Sequence, residues 1–395
     1  MIPRNRRSTG LNLALLLPVL LAAVLLQVVV PLSRVATSYR ALELELPLLQ
    51  IGLLSSAFAL LPILFSLHIG RYNDLRGEGA TALAGSAVVV IAVFGLWLLS
   101  SGFLPMMVFT CILGVGHVML VSALQMMTTR CSTPDQHDRV LGHFLVATAL
   151  GQILGPMAIS LTTPAGAQYP DSSLYWILAS SALGLGACSR LIRAGLPRHV
   201  PHSDSPGFQA ASVVRIPGLL ALIVASGLAV ATNDLIIVFF PVLAAANGIN
   251  AGMVGLLLSV RALASMASRL LFSRLVDAIG KVRLMTLALL ATAVATATLA
   301  LDMPIWGVGL ALAGSGFSMG LAIACSISLS LALAPASGKA TAMSIRLTAN
   351  RLAQFLLPLG AGASAVIVGP GGIFALSGLC LMACGALVAR VRQRV

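Results

Sequence analysis

IGLLSSAFAL, residues 51 to 60, and GRYNDLRG, residues 70 to 77, are the two ends of a segment that this chain uses twice. The second copy begins VGLLLSVRAL at residue 254 and ends SRLVDAIG at residue 280, at a constant offset of 203. Gly52, Arg71, Asp74 and Gly77 superpose without a gap on Gly255, Arg274, Asp277 and Gly280. In 395 residues, that offset means one unit laid down twice. A duplication of this size in an apolar chain implies two packed halves with a binding site at their junction.

Hydrophobic residues make up 58% of the chain and charged residues 9%, with a mean hydropathy of +1.01. Soluble domains hold about 45–50% apolar and about 25% charged residues, so the solvent here is lipid. Twelve apolar runs of roughly the 20-residue length that a bilayer demands can be read, from 11–32 and 48–69 to 341–367 and 371–390. A stretch rich in Pro, Ser and basic residues divides them six and six. The expected organisation is a bundle over 1–195, a cytoplasmic linker over 196–216 and a second bundle over 217–395.

The net charge of +13 suggests nucleic acid until the charges are placed. With a cytoplasmic N-terminus, most of the 24 Lys and Arg fall in internal segments, and only Arg34 and Arg40 fall outside. The positive-inside rule then accounts for the basic balance without a nucleic-acid partner. It also sets both termini in the cytoplasm of a multi-pass inner-membrane protein. The first run is longer than a signal-peptide core and is read as a retained helix. The six cysteines lie in spans or, for Cys131, in a cytoplasmic loop, so neither a disulfide nor a metal site is indicated.

The repeat extends further. Gly114-x-Gly116 recurs as Gly314-x-Gly316 at offset 200, and Gln152 and Pro156 recur as Gln354 and Pro358 at offset 202. Twelve helices in two repeats, with G-R-x-x-D-x-x-G after the second and its echo after the eighth, resemble the major facilitator superfamily. That family's signature is G-x-x-x-D-x-x-G-R-R/K. Gly70, Asp74 and Gly77 match it, with Glu78 and Gly79 in place of the basic pair. The second copy has Ser273 for the first glycine and keeps the basic end as Gly280, Lys281 and Arg283.

The resemblance implies an all-α membrane fold that works by alternating access, as a monomer without a cofactor, carrying a small-molecule substrate on the energy of a proton gradient. It also implies a cytoplasmic gate. Asp74, with Gly70, Arg71 and Gly77, would brace Lys339, and Asp277, with Arg274 and Gly280, would brace Arg139. A carboxylate at a helix N-terminus gains about 0.3–1 kcal/mol from the helix dipole. The plainer alternative makes both aspartates solvated loop anions beside turn glycines.

In helix 5, Gly142, Gly151, Gly155 and Pro156 resemble the G-x8-G-x3-G-P motif of the drug:proton antiporter branch, although Ile159 and Ser160 replace its closing glycines. Close packing of small residues gives the same spacing. Thr110 stands where that branch has an intramembrane Arg.

Five charged residues lie inside spans, and each costs about 2.5–3.5 kcal/mol at the bilayer centre unless paired or wet. They are Asp234, Arg261, Arg269, Arg346 and Arg351. Asp234 is expected to pair with Arg261 or Arg351 and to carry the proton, while Arg269 and Arg346 snorkel to the interface. A purely structural buried ion pair is the alternative.

The candidate substrate and proton pathway is Gln27, His117, Gln152, Asn233, Asp234, Arg261, Asn350, Arg351 and Gln354. Among these the polar wall belongs to the second half. The first half offers only Gln27, His117, Gln125, His143 and Gln152. No Ser-His-Asp, H-E-x-x-H or paired-carboxylate constellation lies in the spans, so an enzyme is not expected. The helix 5 motif implies proton-coupled efflux of small amphipathic organic compounds. The Arg-rich second half suggests proton-coupled uptake or exchange of an organic anion, and a non-transporting membrane sensor is the third possibility.

Overall fold

A computed structural model describes residues 13–131, 136–196, 218–333 and 339–391. The terminal basic residues and the expected linker from residue 197 to 216 lie outside the described residues. Six helices form the first half: α1 (Leu13–Glu43), α2 (Leu48–Arg76), α3 (Glu78–Leu98), α4 (Phe103–Arg130), α5 (His137–Thr162) and α6 (Ser173–Gly195). The second half begins with α7 (Leu219–Ala246), α8 (Ala251–Ile279), α9 (Lys281–Thr298) and α10 (Ile305–Leu333). The run Lys339–Val391 breaks at Gly369, where φ is 70°, into α11 (339–368) and α12 (370–391).

Helix is the form that satisfies every backbone donor within one segment, as hydrocarbon requires. Eleven described segments are long and apolar enough to cross a bilayer, the last of them holding both α11 and α12. Large apolar side chains point outward, with Ile367 87% and Leu161 80% exposed, as expected when lipid is the solvent.

Glycine ends the matching helices in both halves. Gly77 after α2 has φ 82° and Gly280 after α8 has φ 83°, a region that only glycine enters freely. Asp74 and Asp277 therefore sit in the last helical turns, not in loops beyond them. The repeat also corrects one register. A Cβ on Gly114 would run into the Phe58 carbonyl, and a Cβ on Gly316 into the Arg261 carbonyl. Gly114 thus matches Gly316 at offset 202, and Gly116 matches Ser318. Offset 200 fits the letters, but it rotates the helix by about 200° and turns the wrong face to its neighbour.

Both halves meet through α2 against α11, α5 against α8, and α1 against α7. The first two contacts are copies of one another. Ser56 donates to the Phe355 carbonyl at 2.7 Å and Ser259 to the Ile153 carbonyl at 2.9 Å. A Cβ on Gly52 would lie 2.6 Å from the Pro358 carbonyl oxygen, and one on Gly255 would lie 2.5 Å from that of Pro156. These contacts lie toward the ends of the helices farthest from the chain termini. There the α5–α6 loop also reaches the second half, the Ala167 carbonyl accepting from the Ala251 N–H at 3.1 Å. That face is closed.

Candidate functional site

Among the described residues, one ion pair joins the two halves at mid-depth. Arg34 Nη1 lies 2.7 Å from Asp234 Oδ2, joining α1 to α7, with both side chains nearly inaccessible. This corrects two expectations. Arg34 and Arg40 belong to α1, which runs unbroken through Pro31 to Glu43, and not to an outer loop. The partner of Asp234 comes from the other half, and not from Arg261 or Arg351.

Neutral amides link those two arginines to the carboxylate. Gln354 donates to Asp234 Oδ2 at 2.7 Å while its own oxygen accepts from Arg351 Nη1 at 3.1 Å. Asn233 donates to Asp234 Oδ1 at 3.3 Å while its oxygen accepts from Arg261 Nη2 at 2.9 Å. Arg34 also donates to Ser55 Oγ at 3.1 Å, and its guanidinium lies over the Phe58 ring at 4.8 Å from the centroid. Such a cation–π contact adds about 0.5–2 kcal/mol. Phe58 in turn packs on His117, with ring centroids 5.4 Å apart.

Below this layer, toward the face that carries the termini, opens a cavity of about 230 Å³. Gln27, His117, Gln152, Asn233, Asp234, Arg261 and Gln354, all foreseen from sequence, line it. Arg34, Phe58, Ser265 and Arg269 line it as well. Arg269 therefore faces the cavity instead of snorkelling. On the other side of Arg34 lies a water-sized pocket of about 10 Å³, lined by Thr37, Ser38, Ser55 and Thr110 among others.

Three of the cavity glutamines share a spacing. Pro31, Pro156 and Pro358 follow Gln27, Gln152 and Gln354 by four residues. Proline has no N–H, so each leaves the backbone carbonyl of its glutamine without a helical donor, beside the cavity. Q-x-x-x-P was available in the sequence as a signal for all three.

Asn350 and Arg346 form a separate cluster inside the second half. Ser226 donates to Asn350 Oδ1 at 3.0 Å, and Arg346 Nη1 donates to Ser226 Oγ at 3.0 Å. Arg346, 4% exposed, does not snorkel. Gln125 and His143 are exposed and line no part of the cavity.

In helix 5, Gly151 and Gly155 accept the α1 backbone near Val24, Gln27 and Val28, whereas Gly142 has open space around it. This is close packing within one half. At the terminal face Arg71, Asp74, Arg139, Arg274 and Asp277 are exposed, and the Lys339 side chain lies outside the described residues. Space is open around Gly70 and Gly280.

A family model described as the Major Facilitator Superfamily matches residues 9–232 and again 222–394. The chain belongs to this superfamily. It is therefore a multi-pass secondary transporter of a small molecule and not an enzyme. Solved transporters share its fold. The nucleoside transporter NupG aligns with TM-score 0.75 at 14% identity, over 95% of this chain and 98% of its own. A D-xylose-proton symporter aligns at 0.75 and 12%, over 96% and 97%. A POT family transporter in complex with 5-aminolevulinic acid aligns at 0.74 and 12%, over 95% of each. Comparison with curated protein sequences finds no match.

Proposed function

We propose that this major facilitator couples proton movement to the transport of organic anions by alternating access between its two six-helix bundles. The observation that carries the reading is the Arg34–Asp234 bridge, 2.7 Å long, in a cavity whose lining holds one carboxylate and three guanidiniums. An intramembrane carboxylate that pairs across the moving interface couples charge to conformation. Protonating Asp234 removes the charge that holds Arg34 to α7. The α1–α7 contact then loosens, Arg34 becomes available to a substrate anion, and the closed face opens. Deprotonation restores the bridge and closes it again. Binding only shifts this equilibrium by its differential affinity for the two states.

The positive-inside rule supports cytoplasmic termini, and on that reading the cavity opens inward. In the outward-open state the terminal-face ends come together, and there Asp74 would brace Lys339 and Asp277 would brace Arg139. The two bundles move as units of about residues 1–195 and 217–395, joined by the 196–216 linker, in a monomer. Efflux of small amphipathic compounds is the second reading, favoured by the apolar wall of Phe58, Ile237, Leu258 and Ile323. The excess of guanidiniums over carboxylates works against the cationic members of that class.

Proteoliposomes with an imposed pH gradient, given a panel of radiolabelled organic anions and one lipophilic cationic dye, decide between them. Uphill movement of an anion on the proton gradient is expected. Uphill movement of the dye alone would overturn the anion reading, and ligand binding without flux would identify a sensor.

A further inference from the structure

The guanidiniums of the cavity are not equally satisfied. Arg34 has the Asp234 carboxylate. Arg261, 5% exposed, has only the neutral amide oxygen of Asn233, and its Nε is buried without a partner. Arg269 makes no ion pair or hydrogen bond among the described residues, although it lines the cavity. Arg351, which also lacks a carboxylate, stands behind Gln354 and is not part of the lining. The lining thus carries an excess of two positive charges, both on α8.

Their placement is regular. Arg261 and Arg269 are separated by eight residues on one helix, about 12 Å of rise, with Ser265 one turn from each. Across the cavity the first half presents Val30, Phe58 and Gln152, and its cation, Arg34, is already paired with Asp234. Two separated cations with a hydroxyl between them, facing a wall without unpaired charge, form an elongated site with a charged group at each end. A buried cation in a membrane protein calls for a counter-charge, and a ligand with two acid groups supplies both at once.

We infer that the cavity takes an elongated organic dianion, one acid group at Arg261 beside the Arg34–Asp234 layer and the other at Arg269 nearer the mouth. This rests on the organic-anion reading above and narrows it to two-headed acids. Arg269 is then the first cation that a substrate meets from the open face, and the length of the substrate, not its charge alone, sets affinity.

The test is a binding series on the full-length purified protein at fixed pH and ionic strength, with succinate, adipate, suberate, sebacate and octanoate as probes. Affinity should rise with chain length and peak at suberate or sebacate, about tenfold above octanoate. Arg269→Gln should reduce suberate to the level of octanoate, so that the advantage of the second acid group is lost. Arg269→Lys, which keeps the charge and guards against misfolding of the first variant, should retain part of the preference. A flat series, with octanoate bound as well as any diacid, would overturn the two-headed site while leaving the anion reading intact. Stabilisation by a cationic dye with no acid bound at all would overturn both.

Discussion

Phe58 and Arg261 occupy the same place in the two halves, and they show what duplication preserved and what it changed. Their backbones do one job, each carbonyl receiving a glycine of the following helix pair, Gly114 or Gly316. Their side chains do opposite things. Phe58 offers a ring on which Arg34 of α1 rests, while Arg261 offers a guanidinium tied to Asn233. The frame of the transporter is thus set by backbone approach, which tolerates little change, and its chemistry by side chains that diverged freely. The first half nevertheless has a cation in the cavity, contributed from a neighbouring helix.

The strongest test removes what the two halves share. Asp234→Asn should abolish proton-driven uphill transport while leaving counterflow exchange, read in proteoliposomes with and without a pH gradient. Unchanged uphill transport would sink the proton-carrier role.

Making the halves alike should be nearly as damaging. Phe58→Arg adds a cation beside Arg34 and should destabilise the protein by about 3 kcal/mol. Arg261→Phe should fold well yet lose anion binding. Thermal melts and binding on the same preparations check both.

The shared frame is tested by Gly114→Ala and Gly316→Ala, each expected to cost about 2 kcal/mol through backbone displacement. Gly314→Ala should be nearly silent, since a Cβ there meets only the Ala295 Cβ at 3.8 Å. Equal losses at Gly314 and Gly316 would break the register. The smallest effect belongs to Ser56→Ala and Ser259→Ala. Each should weaken the closed face by about 0.6 kcal/mol and raise cysteine labelling on that side to a similar extent.

The fold was legible because hydrophobic length and internal repetition are properties of the sequence itself. Both helix-ending glycines followed from them, and seven of the nine candidate pathway residues line the cavity. Arg34 was missed because a cation near the end of an apolar run reads as the start of a loop. Only the fold shows that Asp234, 200 residues away, buries it. Arg269 and Arg346 were misread for a related reason. Helical position says how deep a side chain lies, but not whether a cavity or a serine cluster waits there. Two glycines of the α5 motif, Gly151 and Gly155, serve α1, a neighbour that spacing alone does not identify.

Arg34 lines both the large cavity and the water-sized pocket beyond it, so at mid-depth the floor of the cavity is close to one side chain thick. An electric field across a membrane falls mainly where water is absent. Water in the cavity carries the potential of the terminal face up to the Arg34–Asp234 layer, so the drop falls across that layer and the closed packing beyond it, where about 2.3 kcal/mol per elementary charge is available for every 100 mV. A charge that passes from the cavity through this layer to the closed side crosses most of that drop. Voltage thus acts on any rearrangement of this pair that carries charge across it.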